Sequence, residues 1–410
     1  MMRAGTEGAQ TQGSDTRAPR LVLVGAAGFT NLGDDAILAA MLAELRTACP
    51  GARFTVATGD PGAFAGDPTL GGDDVALIPF ADAAIAAALA DADLLIVGGG
   101  GFIYDYDARI SAHNFLHGDP SLFYPHFRAL VVAHTLGVPS QVYGIGVGPL
   151  VTAAGRGLTR TVLGLAGAIT VRDRLSLLEL RAAGLDRADL AVTADPALGL
   201  PPAAPSAPAS DGRVVGFVAR GWLQQGDGWT TSGAARHERY LDWLAAGADY
   251  AVERWDATPL FLPLQRRYDD DSASAARVIA RMQHGARARI ADGLTGFRDL
   301  QTALAGLDAL VSGRLHPLIL GCAAGVPPIG IALSPKVRAF LGDLGLGELA
   351  LSPWLARDAD LHAALDRALS APAPIRARLR DGLAAQRSAA ARNPQIAATL
   401  LHRAAGRIGA

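Results

Sequence analysis

The feature that most constrains this chain is the alternation of short apolar runs with longer stretches of helical periodicity. Such runs are typical of buried strands, and the helical stretches between them are typical of βαβ units in a parallel sheet. The candidate strands of the first half are Leu21–Val24, Phe54–Ala57, Val75–Ile78, Leu94–Val97, Ser140–Tyr143 and Ala168–Val171. Helical patterns accompany them, for example over Asp34–Ala48 and Leu175–Ala183.

A segment rich in Pro, Ala and Ser interrupts the pattern at 201–211, and we interpret it as an interdomain linker. The alternation then restarts with the candidate strands Val214–Ala219, Pro259–Leu262, Ala309–Val311 and Pro328–Ile331. We therefore predict an α/β protein in which two Rossmann-like lobes, 21–200 and 212–372, face each other across a cleft. The polar residues 1–20 are expected to be a disordered tail. The Arg-rich segment 373–410 is expected to be a C-terminal helix that, by analogy with two-lobed folds, packs back across the lobes.

The composition excludes several classes of protein. A net charge of −2 and a pI near 6.5 give no electrostatic footprint for nucleic acid. Two cysteines without a CxxC motif predict neither a disulfide framework nor structural zinc, and they indicate a reducing compartment. No uninterrupted apolar run is long enough for a membrane span, and the N-terminal tail lacks the apolar core of a signal peptide. We therefore expect a cytoplasmic protein without an integral membrane segment, a metal or a cofactor.

Three glycine-rich segments follow candidate strands of the first lobe. They are GAAGFTNLGDDA at Gly25–Ala36, GGGGFIYD at Gly98–Asp105 and GIGVGP at Gly144–Pro149. Open α/β sheets bind ligands at the carboxyl ends of their strands, and glycine lets backbone N–H groups approach an anion closely. The first segment is neither a GxGxxG fingerprint nor a P-loop. We predict a ligand-lining loop at the second segment, with Gly99, Gly100 and Asp105 among the substrate-binding candidates.

Polar residues of the first lobe leave alternatives open. Asn31 either faces the ligand or caps the next helix, and capping is equally open for Asp34. Arg172 follows a candidate strand and either binds a phosphate or carboxylate through its guanidinium fork or pairs with the adjacent Asp173. Asp195, after the candidate strand 191–194, either caps or accepts a hydrogen bond from a sugar hydroxyl.

The second lobe carries the most informative segment, 312–336. Arg314 and His316 lie two residues apart after a short apolar run. Lys336 is the only lysine in the chain, because 37 basic residues include 36 arginines. A lysine that persists against such a bias suits a phosphate or carboxylate as a point charge, although chance survival of a surface lysine is the alternative. The run of three aspartates at 269–271 is interpreted as a helix N-terminus on the surface.

Taken together, these motifs resemble the polysaccharide pyruvyl transferase family. The resemblance rests on the three glycine-rich segments above, VRDxxS at Val171–Ser176, DPA at Asp195–Ala197 and the SGRLHPLILGCAAGVPPIGI…PK segment at Ser312–Lys336. It implies a GT-B-like fold and transfer of the enolpyruvyl carbons of phosphoenolpyruvate, the co-substrate, onto a sugar as a ketal. It also implies that Arg314 and His316 belong to the donor site, with Arg172 a similar candidate.

The chemistry that the resemblance implies suits the residues. Phosphoenolpyruvate carries about three negative charges, which Arg314, Arg172 and Lys336 would meet. His316 would give and take protons, because an imidazole titrates near neutral pH. The acceptor, a sugar or lipid-linked glycan of a cell-surface polymer, is expected to contact regions 60–75 and 105–125 and the loop of Trp222 and Trp229. Those two indoles either stack on sugar rings or only anchor their loop. The acceptor sugar, the ketal position and a homo-oligomeric state stay open.

Two competing interpretations remain. A GT-B-type glycosyltransferase would use a nucleotide sugar and hold its ribose with a pair of carboxylates. Around 297–345 the chain offers only Asp299, Asp308, Asp343 and Glu348, which are not spaced for that role. A non-catalytic sugar- or nucleotide-binding module would tolerate loss of Arg314 and His316, and this chain retains both.

Overall fold

A computed structural model describes residues 17–64, 66–105, 111–117, 123–203, 212–221, 233–265 and 270–408. Trp222 and Trp229 lie outside these residues, as do parts of the 105–125 region and residues 204–211 of the predicted linker. Among the described residues, no helix combines the length and the hydropathy needed to cross a membrane.

The first lobe is built on a seven-stranded, wholly parallel sheet with the order β3-β2-β1-β4-β5-β6-β7. Its strands are β1 (Arg20–Val24), β2 (Arg53–Thr58), β3 (Val75–Pro79), β4 (Leu94–Ile103), β5 (Ser140–Val147), β6 (Ala168–Val171) and β7 (Leu190–Val192). Its helices are α1 (Leu32–Ala48), α2 (Asp82–Leu89), α3 (Ala112–His117), α4 (Phe123–Thr135), α5 (Ala153–Leu163) and α6 (Arg174–Ala182). The strands are apolar on both faces because helices cover both sides of a parallel sheet.

The second lobe repeats this plan with a six-stranded parallel sheet of order β10-β9-β8-β11-β12-β13. Its strands are β8 (Val214–Val218), β9 (Thr258–Phe261), β10 (Arg289–Ile290), β11 (Ala309–Ser312), β12 (Pro328–Ile331) and β13 (Ala350–Leu351). Its helices are α7 (Gly233–Trp255), α8 (Asp271–Ile279), α9 (Phe297–Ala305), α10 (Leu315–Ala323), α11 (Pro335–Asp343) and α12 (Asp358–Ser370). In both sheets the chain order reverses beside the first strand, β1 or β8, which is where such folds bind ligands.

Two long helices close the chain, α13 (Pro372–Ala390) and α14 (Arg392–Ile408). Helix α13 packs against α10 and α12 of the second lobe, and α14 packs against α1, β4 and β5 of the first. The buried side chain of Asn393 anchors this return, since its Oδ1 accepts hydrogen bonds from Thr170 (2.6 Å) and Thr193 (2.9 Å). The C-terminal segment therefore ties the two lobes together.

The predicted architecture, two Rossmann-like lobes with a helical C-terminus, is confirmed, and all ten strands predicted from the apolar runs in the two lobes are present. Three predicted strand ends are wrong. Strands β4 and β5 continue through the glycines at 98–101 and 144–146, where a loop was expected, and the pairing of β4 with β5 shifts register there. The short strand before Asp195 ends at Val192 rather than at residue 194.

Candidate active site

The candidate site lies in the crevice between the lobes, at the carboxyl ends of both sheets. Helix α1 of the first lobe meets the segment after β9 of the second. Asn31 forms a single antiparallel β-bridge with Gln265, and the Thr30 hydroxyl donates to Gln265 Oε1 at 2.7 Å. The loops that follow β6, β11 and β12 end at the same crevice. Residues from distant parts of the chain are thereby brought together.

Asn31 caps the first helix of the crevice. Its Oδ1 accepts a hydrogen bond from the Gly33 amide at 3.1 Å, and its Nδ2 donates to Asp34 Oδ2 at 2.7 Å. The cap that the sequence left open between Asn31 and Asp34 is therefore Asn31. Asp34 occupies the first turn of α1, where the helix dipole favours a negative charge, and its side chain is 15% exposed toward the crevice.

His316 lies against this helix N-terminus from the other lobe. A Cβ on Gly33 would fall 2.3 Å from His316 Nδ1, so only glycine admits the imidazole at this position. Nδ1 lies 4.0 Å from Asp34 Oδ1, and Nε2 lies 3.9 Å from Asp195 Oδ2. Both distances exceed a hydrogen bond, so neither carboxyl group holds the ring in this structure.

Arg172 is buried at the centre of the site, with its side chain only 4% exposed. Its Nη1 donates to Asp195 Oδ2 at 3.0 Å, and its Nε approaches Asp173 Oδ2 at 3.4 Å. A Cβ on Gly101 or on Gly146 would collide with the guanidinium, at 2.8 and 2.5 Å. These glycines of β4 and β5 therefore make the space that Arg172 fills, a role that the loop interpretation missed.

Arg314 comes from the loop after β11 and is also paired. Its Nε and Nη2 donate to Asp271 Oδ2 and Oδ1, at 2.9 and 2.7 Å. Asp271 is 1% exposed and also accepts from the Leu264 and Gln265 amides, so the prediction of a surface aspartate run is wrong at this residue. Burial raises the pKa of Asp271, while Arg314 opposes that shift. The bidentate pair fixes Arg314 beside the crevice.

Lys336 lies in the first turn of α11. Within the described part of the chain, no carboxylate lies within ion-pair distance of its ammonium group. Two polar atoms nearby are buried and, among the described residues, have no hydrogen-bond partner: His316 Nε2 and the hydroxyl of Ser334, the residue at the start of α11. A cation and two buried polar atoms at helix N-termini are suited to bind an anion.

Burial and charge shift three pKa values of the cluster toward the uncharged forms. Burial, followed by repulsion from Arg172 and Arg220, lowers the pKa of Lys336 to about 7. Burial also lowers the pKa of His316 to about 4, against the attraction of Asp195. Burial and then the neighbouring Asp35 raise the pKa of Asp34 to about 7. At neutral pH the cluster therefore carries less charge than the ordinary pKa values of these groups would give, and a bound anion would favour their protonated forms.

Three predicted site residues lie at the edge of this cluster or outside it. Gly99 is buried beneath α1, where a Cβ would meet Ile37 at 2.2 Å, so it serves helix packing. Gly100 adjoins the cluster, since a Cβ there would lie 3.2 Å from Asp34 Oδ1. Asp105 directs its carboxylate at the start of α5, where it accepts from the backbone of residues 151 and 152 and from the Thr152 hydroxyl.

Sequence reasoning missed two acidic members of the site. Asp34 was considered only as a cap and Asp271 only as surface. The sequence signal for Asp34 was its position directly after Gly33, in the first turn of a helix that follows a strand, where ligand-binding residues are expected. No comparable local signal marks Asp271, whose partner Arg314 is 43 residues away. In the described residues, no group of three or more His, Cys, Asp or Glu is arranged to hold a metal ion.

A comparison with protein families decides the lineage. The model of the family "Polysaccharide pyruvyl transferase" matches residues 31–335, a span that begins at Asn31 and ends one residue before Lys336. The chain belongs to the polysaccharide pyruvyl transferase family. The predicted resemblance is thereby confirmed. The matched span includes Asp34, Arg172 and His316 of the crevice. The comparison with curated proteins gives no match.

Solved structures place this member of the pyruvyl transferase family among GT-B folds. The UDP-GlcNAc 2-epimerase of Neisseria meningitidis, bound to UDP-GlcNAc, is 11% identical with a TM-score of 0.58 over 94% of this chain and 100% of that one. The UDP-GlcNAc 2-epimerase of Methanocaldococcus jannaschii is 9% identical with a TM-score of 0.57, over 86% and 92% of the chains. A glycosyltransferase of Rickettsia africae is 10% identical with a TM-score of 0.54, over 94% and 96%. At such identities the likeness concerns the fold alone, and it confirms the GT-B-like prediction.

Proposed function

We propose that this protein uses phosphoenolpyruvate to form a pyruvate ketal on a sugar of a cell-surface polysaccharide or its precursor. The observation that carries the proposal is the convergence of Arg172, Arg314, Lys336 and His316 in one crevice, assembled from both lobes. Family membership supports the transfer, and the cation cluster supports an anionic donor with about three negative charges.

The cluster offers distinct groups to the two ends of such a donor. Lys336 and the N-terminus of α11 form a point charge and a set of backbone donors suited to a phosphate. Arg172 and Arg314 present guanidinium groups, whose planar forks match carboxylate and phosphate oxygens. Each arginine is already held by an aspartate, so both are pre-positioned before the donor arrives. Little reorganisation would then accompany binding.

The reaction balances without a redox partner. The methylene carbon of phosphoenolpyruvate takes up a proton, and a sugar hydroxyl adds to the neighbouring carbon and loses its own proton. The C–O bond to phosphate then breaks, and phosphate leaves with the electron pair and one proton. A second hydroxyl adds to the oxocarbenium-like centre and releases its proton. The two protons lost by the hydroxyl groups equal the one gained by the methylene carbon and the one that leaves with phosphate.

His316 is suited to the proton of the attacking hydroxyl. Because burial lowers the pKa of His316 to about 4, the imidazole is neutral at physiological pH and can act as a base. Proton transfer by a positioned side chain contributes roughly 10²- to 10⁴-fold to a rate. We therefore expect His316→Asn to lower phosphate release by about that range while donor binding persists.

Calorimetric titration of phosphoenolpyruvate into wild-type protein tests the donor, with uridine diphosphate as the comparison ligand. We expect saturable binding of phosphoenolpyruvate that weakens by about tenfold or more in Lys336→Met, which removes one unpaired charge. Arg338→Met is the matched control, because Arg338 is an exposed cation two residues further along the same helix. Binding of the nucleotide with no response to phosphoenolpyruvate would instead establish the glycosyltransferase alternative.

Activity is then measured as phosphate released from phosphoenolpyruvate, without nucleotide, in the presence of p-nitrophenyl hexosides that offer free 4,6- or 3,4-diols. A ketal on one of these probes, detected by mass spectrometry as the added pyruvate, would establish the reaction. A protein that binds the donor yet fails on every probe and on lipid-linked glycans would lose the transferase assignment.

A further inference from the structure

Ketal formation needs an acid as well as a base, and a neutral His316 supplies only the base. We infer that Asp34 donates the proton that the methylene carbon of phosphoenolpyruvate takes up, while His316 accepts the proton of the sugar hydroxyl. This inference rests on the proposed function and divides its proton transfers between the two lobes.

The geometry presents Asp34 as a fixed group beside the base. Asn31 Nδ2 holds Asp34 Oδ2 at 2.7 Å, which leaves Oδ1 facing His316 Nδ1 at 4.0 Å. Gly100 lies directly behind the same oxygen, where a Cβ would approach it to 3.2 Å. The side chain is 15% exposed, so the carboxyl group is both buried and reachable from the crevice. A donor bound against Lys336 and Arg172 would lie between these groups.

Neither neighbouring carboxylate fits the role. Asp195 Oδ2 accepts from Arg172 at 3.0 Å, and its Oδ1 accepts from the Ala197 amide at 3.1 Å, so it serves as the partner of a cation. Asp35 turns away from the crevice, and its Oδ1 accepts from the Gly28 amide at 2.9 Å. Asp195 Oδ2 also lies near the imidazole, 3.9 Å from His316 Nε2, but Arg172 donates to that same oxygen. Asp34, by contrast, is hydrogen-bonded by the neutral side-chain amide of Asn31.

The charges around the pair favour the same division. Burial and the repulsion of Asp35 and Asp195 raise the pKa of Asp34 to about 7, against the opposing attraction of Lys336 and Arg172. Burial lowers the pKa of His316 to about 4, with Arg172, Lys336 and Arg314 adding to the shift. Between these values the pair consists of an uncharged acid and an uncharged base 4.0 Å apart. Environments that push two pKa values in opposite directions are how sites assign acid and base roles.

The step conserves atoms and charge. The O–H bond of Asp34 breaks and a C–H bond forms at the methylene carbon, which leaves a carboxylate beside Lys336. The C–O bond of the sugar forms as His316 takes the hydroxyl proton and becomes an imidazolium. The imidazolium can then protonate the departing phosphate, and Asp34 regains a proton when the second hydroxyl adds.

The test compares Asp34→Asn with Asp35→Asn in the full-length protein. Asp34→Asn is expected to lower kcat for phosphate release by about 10²- to 10⁴-fold. Its affinity for phosphoenolpyruvate at pH 6 should stay close to that of wild type, because a neutral amide replaces a carboxyl group that is itself uncharged below pH 7. Asp35→Asn is expected to keep turning over, with the alkaline limb of its pH–rate profile moved to lower pH, since Asp35 raises the pKa of Asp34. The wild-type limb is expected at or above pH 7 and absent in Asp34→Asn.

An acceptor-independent measurement accompanies the kinetics. The infrared band of a protonated carboxyl group, recorded at pH 6 with phosphoenolpyruvate bound, should appear in the difference between wild type and Asp34→Asn. Retention of wild-type kcat in Asp34→Asn, loss of donor binding in that variant, or absence of the infrared difference would each overturn the inference and leave the proposed function standing. A wild-type protein that neither binds nor consumes phosphoenolpyruvate would overturn the proposed function, and the inference with it.

Discussion

Lys336 illustrates, at the scale of one residue, the electrostatics of the proposed anion site. Lys336 is half-buried and has no carboxylate within ion-pair distance of its ammonium group among the described residues. Burial, followed by repulsion from Arg172 and Arg220, therefore lowers its pKa to about 7. An anion bound beside it would raise that pKa again, together with those of Asp34 and His316. Donor binding should therefore be coupled to proton uptake.

This coupling has a definite sign. Above pH 7 the donor phosphate is fully ionised, so its own titration no longer contributes. We expect affinity for phosphoenolpyruvate to fall from pH 7.5 to 9 as Lys336 loses its proton, and protons to be taken up on binding. Titrations at pH 7.5 in buffers of different ionisation enthalpy measure the uptake, and Lys336→Met should reduce it. Release of protons on binding would contradict this account.

Lys336 also links function to stability. Between about pH 7 and the ordinary range of lysine near 10.4, the unfolded chain binds a proton that the folded protein does not. The free energy of unfolding should therefore rise with pH in that window and be lowered most below pH 7. We expect Lys336→Met to raise the melting temperature of the ligand-free protein at pH 6 more than at pH 9. If Lys336→Met changed the melting temperature by the same amount at pH 6 and pH 9, burial of the Lys336 charge would not be unfavourable to the folded protein.

At the scale of elements, three glycines allow helix α1 and strands β4 and β5 to lie close to side chains of the candidate site. Gly33 lets the imidazole of His316 touch the first turn of α1, and Gly101 and Gly146 open the space that Arg172 fills. Each glycine thus sets the distance between two elements. A single methyl group at any of these points would displace a side chain of the candidate site.

Gly33→Ala tests this directly. A Cβ at 2.3 Å from His316 Nδ1 must push the ring away, and a misplacement of about 1 Å can reduce a rate by about 10²-fold. We expect a folded protein whose phosphate release is lowered by about that factor, as followed by a coupled phosphate assay. Gly157→Ala in α5 is the control, since a Cβ there meets no atom within 4 Å, and it should keep full activity. Wild-type rates of phosphate release from the Gly33→Ala protein would show that the His316 ring can move aside without loss of activity.

Periodicity and apolar runs were sufficient to predict the strands and the two-lobed plan, because both are local properties of the chain. The glycine segments were located correctly but assigned to loops, since a glycine that receives a neighbouring side chain looks in sequence like one that lines a turn. The position of Asp34 at the start of a helix was visible in the sequence, whereas its approach to His316 and the burial of Asp271 required the tertiary structure. The roles of both depend on partners, Arg314 and His316, that only the folding of two sheets brings close.

At the scale of the whole molecule, the C-terminal helices join what the linker separates. Asn393 in α14 is fully buried against β5 and β6, and its backbone carbonyl also accepts from Gln141 at 3.1 Å. Loss of its side chain would leave the hydroxyls of Thr170 and Thr193 short of a partner. The return of the chain to the first lobe therefore depends on a polar anchor inside an otherwise apolar contact.

We expect Asn393→Ala to lower the free energy of unfolding by about 2 kcal/mol, the range found when buried polar groups lose a partner. Urea denaturation followed by circular dichroism measures the change. Gln395→Ala, an exposed position on the same helix, should shift stability by less than about 0.5 kcal/mol. Equal effects of the two substitutions would remove the anchoring role of Asn393.

The division of the candidate site between the lobes bears on unproductive hydrolysis of the proposed donor. The enol phosphate is a high-energy metabolite, and any protein that protonates it next to water risks wasting it as free pyruvate. In the proposed mechanism the acid, Asp34, lies on the first lobe, and the base, His316, lies on the second with Lys336. The two lobes must therefore face each other before the enol can react. If the proposed function holds, separation of the lobes would leave the donor unreactive, and the arrangement of the lobes would protect against hydrolysis without transfer.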